Sequence, residues 1–137
     1  MKNLYNYLVE HQHVFVVVKP GSLDLCQTVI ERFKENDWVV DKTITKQLLL
    51  SEAKNMYKVH KNKDFYKSLC EYMSSGPCRA FIFMKPGHTS QKSFDEVAKI
   101  KDEIRKEYGE SDMRNVLHSS DSQEAMNNEA SIFFNIY

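Results

Sequence analysis

Two apolar runs, each ending in the same turn, limit most strongly what this chain can fold into. Val14-Phe15-Val16-Val17-Val18 leads into Lys19-Pro20-Gly21, and Cys78–Met84, apolar but for Arg79, leads into Lys85-Pro86-Gly87. Both runs read as buried strands that end in a turn. We read the echo as shared turn chemistry rather than as an internal duplication.

The remaining elements alternate with these strands. His13–Lys19 is the first strand. Ser22 is placed to cap a helix whose stripe is Leu25, Cys26, Val29, Ile30 and Phe33. Asn36-Asp37 turns the chain into a strand from Trp38 to about Thr45. Leu49, Ala53, Met56 and Tyr57 suggest a helix. Asp64 is placed to cap another, with Phe65, Leu69, Tyr72 and Met73 on one face and Gly76-Pro77 as its stop. Between His88 and Met113 both signs of charge are dense. Phe94, Val97, Ile100, Ile104 and Tyr108 keep helical spacing there, which predicts a surface helix followed by a functional loop. Ser120-Asp121-Ser122-Gln123 has the spacing of a capping box that opens a short helix, and Ile132-Phe133-Phe134 reads as a last strand. Few strands alternating with helices predict an α+β sandwich, a small antiparallel or mixed sheet with helices on one face.

The 137 residues fit one compact domain, 1-137. Hydrophobic residues at 42% against 28% charged place the chain among globular rather than disordered proteins. Nineteen basic and nineteen acidic residues cancel, so no bulk attraction to nucleic acid or to an anionic membrane is expected. An anionic ligand must instead be held by local geometry. Three cysteines with no C-x-x-C pair argue against a disulfide framework or a cysteine zinc site, and suit a reducing compartment. Val14–Val18 is too short to span a bilayer. The expectation is a soluble, cytoplasmic protein.

Few residues have settings that suggest chemistry. Lys19 ends a buried strand just before a helix start, where a fixed cation makes a sound anion site, although a surface lysine at a turn fits as well. His118 precedes a capped helix start, with Arg105 and Arg114 upstream; local context alone also allows a structural histidine. His11, His13, His60 and His88 have no comparable setting and read as structural or solvent-facing. On the helix after Asp121 the apolar face runs through Ala125, Met126, Ala130 and Phe133. Glu129 falls on that inward face, where a carboxylate needs a partner. It can accept an imidazole N–H and fix the tautomer that leaves the other nitrogen nucleophilic, or it can reach solvent at the edge of the face. Tyr57 and Phe65 flank a basic segment, an arrangement that suits nucleotide stacking or plain core. Neither a G-x-x-x-x-G-K loop nor a G-x-G-x-x-G motif is present, and no metal-ligand cluster is visible.

Taken together, these segments carry a resemblance. Asn115-Val116-Leu117-His118-Ser119-Ser120-Asp121-Ser122 looks like the active-site motif of nucleoside diphosphate kinases. Val16–Gly21 resembles that family's first strand and Lys-Pro-Asp-Gly turn. Phe65-Tyr66 with Leu69, and Tyr72-Met73-Ser74-Ser75-Gly76-Pro77, resemble its central block. Ile104-Arg105 keeps the family's spacing to His118. Glu124, Ala125, Glu129 and Phe133-Phe134 match the helix and strand that follow. The resemblance implies a ferredoxin-like α/β sandwich, a small antiparallel sheet with helices packed on it. It also implies transfer of the γ-phosphate of a nucleoside triphosphate such as ATP to a nucleoside diphosphate. The transfer would pass through a phosphohistidine, with Mg2+ held by the nucleotide phosphates. By it His118 would be the nucleophile and Glu129 would orient it. Lys19, Tyr57, Arg105 and Asn115 would contact phosphate and ribose, and Phe65 would stack on the base.

The chain departs from that pattern at several points. The turn has Gly21 directly after Pro20, where the family has an Asp between them. Ser119 replaces Gly or Ala, and Lys106-Glu107 replaces the Gly-Asp after Arg105. The stretch from Gly87 to Arg105 is several residues shorter and lacks the signature of the family's protruding loop. The family's second phosphate-binding Arg and nearby Thr have no counterpart, leaving Lys92 or Lys99 as substitutes. Asp112 stands where the family has an apolar residue against the base. The shortened loop bears on assembly, since the family's trimer contacts use it and its dimer contact does not. At least a dimer is expected and a hexamer is left open. The alternative to a working kinase is a weakened or inactive family member acting as a nucleotide-binding or assembly module. Nucleic-acid binding finds little support in a neutral chain.

Overall fold

A computed structural model describes residues 10–134; residues 1–9 and 135–137 of the expected domain lie outside the described residues. Strand β1 (His11–Val18) is followed by a short 3-10 turn (Leu23–Leu25), helix α1 (Cys26–Lys34) and strand β2 (Val39–Lys46). Helix α2 (Leu50–Met56), a second 3-10 turn (Lys58–His60) and helix α3 (Tyr66–Met73) lead to strand β3 (Cys78–Pro86). Helix α4 (Gln91–Tyr108), strand β4 (Leu117–Ser119) and helix α5 (Gln123–Phe134) complete the described chain. The sheet has the order β2-β3-β1-β4 and every pairing is antiparallel. This is the ferredoxin-like α+β sandwich that the resemblance implies.

The two apolar runs form the central strands, pairing Val14 with Phe83 and Val16 with Phe81. Side chains alternate across a strand, so residues 14 and 16 face one side and residue 15 the other. Phe83 stacks on Phe33 of α1, with centroids 4.4 Å apart and planes 6° apart. On the opposite face Phe15 meets Phe133 and Phe134 of α5, at 5.7 and 6.5 Å between centroids. Both faces of the sheet are therefore covered, where the alternation of elements predicts helices on one. A strand buried on both faces must be apolar at every position, and Val14–Val18 is buried throughout. Gly21 and Gly87 in the two echoed turns have φ of +85° and +128°, a conformation in which L side chains are strained.

Ile132-Phe133-Phe134 is not a strand: it is the last turn of α5. The i, i+3, i+4, i+7 pattern of Met126, Glu129, Ala130 and Phe133 prevails over the local apolar run, because it brings Phe133 onto the sheet. The caps also differ. Ser22 makes no side-chain cap, and α3 begins at Tyr66 without one from Asp64. The hydroxyl that caps α5 belongs to Ser122, accepting from Ala125 N at 3.1 Å, which frees Ser120 for another partner.

Helix α4 buries Phe94, Val97, Ile100 and Ile104 on one face, as the spacing predicts. The loop from Gly109 to Val116 then returns the chain to the sheet beside β1. Val116 enters β4 with φ of +77°, a genuine outlier for a β-branched residue, costing on the order of 1–3 kcal/mol. Its carbonyl accepts from Lys19 N at 2.8 Å, tying the end of β1 to the loop. Cys26, Cys70 and Cys78 are all free. Among the described residues, no helix is long and apolar enough to cross a membrane.

Candidate active site

His118 sits in the middle of β4, paired with Val17, and so points to the face of the sheet that α5 covers. Glu129 comes down onto it from α5. Nε2 of His118 and Oε1 of Glu129 are 2.5 Å apart, and the hydroxyl of Ser120 donates to the same oxygen at 2.9 Å. Glu129 is 7% exposed, so its charge is held by these two partners rather than by water. In the neutral imidazole the proton then belongs on Nε2. The lone pair is left on Nδ1, which has no hydrogen-bond partner among the described residues.

His118 opens onto a pocket of about 500 Å³, within the usual range for small-molecule sites. Its walls include Lys19, Tyr57, Phe65, Arg105 and Asn115, five further residues singled out by the sequence. A smaller hollow of about 340 Å³ lies on the Glu129 side and shares Tyr57, His60, His118 and Asp121 with the first.

Lys19 is buried at the end of β1. Its ammonium donates to Asn115 Oδ1 at 2.7 Å and to Met113 O at 3.2 Å. Burial, reinforced by the charge of Arg105, lowers its pKa to about 7. Asn115 Nδ2 donates to Asp112 O at 2.7 Å, which folds the loop onto the lysine. Arg105, near the end of α4, grips β4 with two hydrogen bonds to Leu117 O, from Nε at 3.1 Å and Nη2 at 2.8 Å.

A row of rings runs from the pocket mouth to His118. Phe65 is 45% exposed at the mouth, and His60 lies 5.4 Å from it. Tyr57 stands 6.4 Å from His60 and meets His118 edge-on at 5.5 Å. The Tyr57 hydroxyl is buried with no hydrogen-bond partner, and burial keeps it protonated, so it is a donor waiting for an acceptor.

The sequence context of His60 predicts a structural or solvent-facing ring; instead it lines the pocket with its Nδ1 buried and unpartnered. Burial and the nearby Lys63 lower its pKa, favouring the neutral ring. Lys92 and Lys99, the expected substitutes for a phosphate-binding arginine, are exposed on α4 and do not line the pocket. Lys101 does line it, as do Asp112, Met113 and Asp121. Neither His60 nor Lys101 carries a local motif. Lys101 had one available signal, its position four residues before Arg105 on one helix face.

An imidazole with one nitrogen fixed by a carboxylate and the other left basic, facing three cations, is suited to accept and release an anionic electrophile such as a phosphoryl group. A family model for nucleoside diphosphate kinase matches residues 12–136. The chain is 33% identical over 131 residues to a nucleoside diphosphate kinase of Kosmotoga olearia, covering 90% of this chain and 88% of that protein. It is 33% identical over 127 residues to one of Thermoplasma volcanium, covering 87% and 86%. The crystal structure of the Encephalitozoon cuniculi nucleoside diphosphate kinase superposes with a TM-score of 0.79 at 20% identity, over 90% of this chain and 88% of that one. The chain belongs to the nucleoside diphosphate kinase family.

Proposed function

We propose that this chain is a nucleoside diphosphate kinase working by a two-step transfer through His118. The observation that carries the reading is the His118–Glu129 pair at the wall of a pocket lined by Lys19, Lys101 and Arg105. In the first step the Nδ1 lone pair attacks the γ-phosphorus of a nucleoside triphosphate. The bond from that phosphorus to the bridging oxygen breaks, and the nucleoside diphosphate leaves with the electron pair. In the second step a terminal phosphate oxygen of another nucleoside diphosphate attacks the phosphohistidine, and the imidazole is restored. The proton on Nε2 stays with His118 throughout, and Glu129 balances the positive charge that the phosphorylated ring acquires.

Lys19, Tyr57, Arg105 and Asn115 bind phosphate and ribose, and Phe65 stacks on the base. Lys19 also keeps the loop closed on β1. Kinases of this family generally use a divalent metal. We take it to be Mg2+, which would neutralise phosphate charge during transfer. Among the described residues no three His, Cys, Asp or Glu side chains form a metal cluster, while Asp121 and Asp112 line the pocket. That lining fits a metal carried by the phosphates, with Asp121 as the carboxylate nearer to His118 in the chain.

The partners are nucleoside tri- and diphosphates. We take residues 1–137 as one domain, cytoplasmic, and at least dimeric; β2 lies at the sheet edge with Val39 and Ile44 exposed. The test is steady-state kinetics with ATP varied at several GDP concentrations. A two-step transfer yields parallel double-reciprocal lines, and His118→Ala abolishes the rate. Intersecting lines would mean direct transfer between two bound nucleotides and would overturn the role of His118.

A further inference from the structure

Three cations line the pocket, and two are already engaged by the protein. Lys19 donates to Asn115 and Met113, and Arg105 is committed to the carbonyl of Leu117. Lys101 is different: among the described residues its ammonium makes no hydrogen bond and no ion pair, although its side chain is partly buried in the pocket wall.

That placement is unfavourable in the ligand-free protein. A partly desolvated ammonium one helical turn from Arg105 is a like-charge pair on one helix face. Asp102, Asp121 and Glu129 act on it only through space, and burial followed by the charge of Arg105 lowers its proton affinity. A polyanion in the pocket resolves the imbalance and a neutral ligand does not. Helix geometry also separates Lys101 from Lys99 and Lys92, the two α4 lysines that the sequence offers as substitutes. Lys99 lies about 200° and Lys92 about 180° around the helix from it, on the far side.

We propose that Lys101 is a further phosphate-holding cation of this chain beside Lys19 and Arg105, taking the terminal phosphates beside His118 in place of the arginine that the shortened segment before Arg105 lacks. The proposal rests on the nucleotide-binding reading of the pocket. It also gives the unbroken helix α4 a role: continuous from Gln91 to Tyr108, it delivers the cation from the helix itself rather than from a protruding loop.

The test compares wild type, Lys101→Met, Lys101→Arg and Lys99→Met by calorimetric titration with Mg2+ and AMP, ADP or the β,γ-imido analogue of ATP. A charge-assisted phosphate contact predicts that Lys101→Met weakens ADP and the ATP analogue by about 10–100-fold and AMP by no more than about twofold. Lys101→Arg should recover most of the loss, and Lys99→Met should match wild type. If Lys101→Met binds the ATP analogue as tightly as wild type does, the assignment of Lys101 is wrong and the nucleotide reading stands. An equal loss for all three nucleotides would mark a structural role and also overturn it. Should wild type bind none of them, the nucleotide reading itself fails and takes this proposal with it.

Discussion

Oε1 of Glu129 holds two hydrogens at once, the N–H of His118 at 2.5 Å and the hydroxyl of Ser120 at 2.9 Å. One buried oxygen therefore ties the helix after His118 to the strand that bears it. The arrangement sets the imidazole's tautomer and its direction together, which is the positioning that phosphoryl transfer needs.

Removing that oxygen should cost both rate and stability. Glu129→Ala strands the Ser120 hydroxyl and the His118 N–H, a loss of about 1–3 kcal/mol per unsatisfied group. Histidine phosphorylation should slow by on the order of 10²-fold. Glu129→Gln retains an acceptor and should recover part of the rate. Single-turnover phosphorylation, followed beside the thermal midpoint, separates the two effects. A normal rate in Glu129→Ala would remove Glu129 from the mechanism.

Lys19 should make both stability and binding depend on pH. Its pKa falls from the usual lysine value to about 7 on folding, so between pH 7 and the unfolded value near 10.5 the unfolded chain carries the extra proton. Stability of the nucleotide-free protein should accordingly rise with pH across that window, and the contribution should vanish below it. Phosphate oxygens favour the ammonium, so nucleotide binding at pH 8 should take up a proton, and binding at pH 6 should take up almost none. Calorimetry in buffers of different ionisation enthalpy measures this uptake. Lys19→Met should abolish it, and persistence of the uptake in that variant would assign the proton to another group.

At the pocket mouth, Phe65 and Asp112 should divide affinity from base preference. Phe65 is exposed, so Phe65→Ala should fold normally and weaken every nucleotide by a similar factor, about 10–100-fold for a lost stacking contact. Asp112 brings a carboxylate to the same pocket, and guanine offers two adjacent N–H donors to such a group. Asp112→Ala should lower the preference for GDP over CDP by about fivefold, the modest value expected of a solvent-exposed carboxylate. Ratios of kcat/KM for the two substrates test this. An unchanged ratio would place the base away from Asp112.

Much of this architecture was legible because periodicity survives folding. Val14–Val18 and Cys78–Met84 announced the central strands, and the spacing from Phe94 to Ile104 announced α4. Glu129 could be singled out because a carboxylate on an inward helix face has to find a partner, and it meets His118. Other features depend on tertiary context. Coverage of both sheet faces follows from where Phe33 and Phe133 land, which no local pattern states. Ile132–Phe134 has the composition of a strand and becomes helical because Phe133 must reach Phe15. Strand β4 has three residues, too few to show a period. His60 and Lys101 sit in charge-rich segments, where a pocket-facing residue looks like its solvated neighbours until the helix axis and the loop opposite are placed.

The most direct test of the account is whether His118 carries the phosphate. The protein would be incubated with Mg2+ and γ-labelled ATP, quenched, and examined for label that is labile to acid and stable to base, beside His118→Ala. The account predicts label on wild type alone, chased off by GDP as labelled GTP. Absence of label on wild type while ATP is bound, or equal label on His118→Ala, would contradict it.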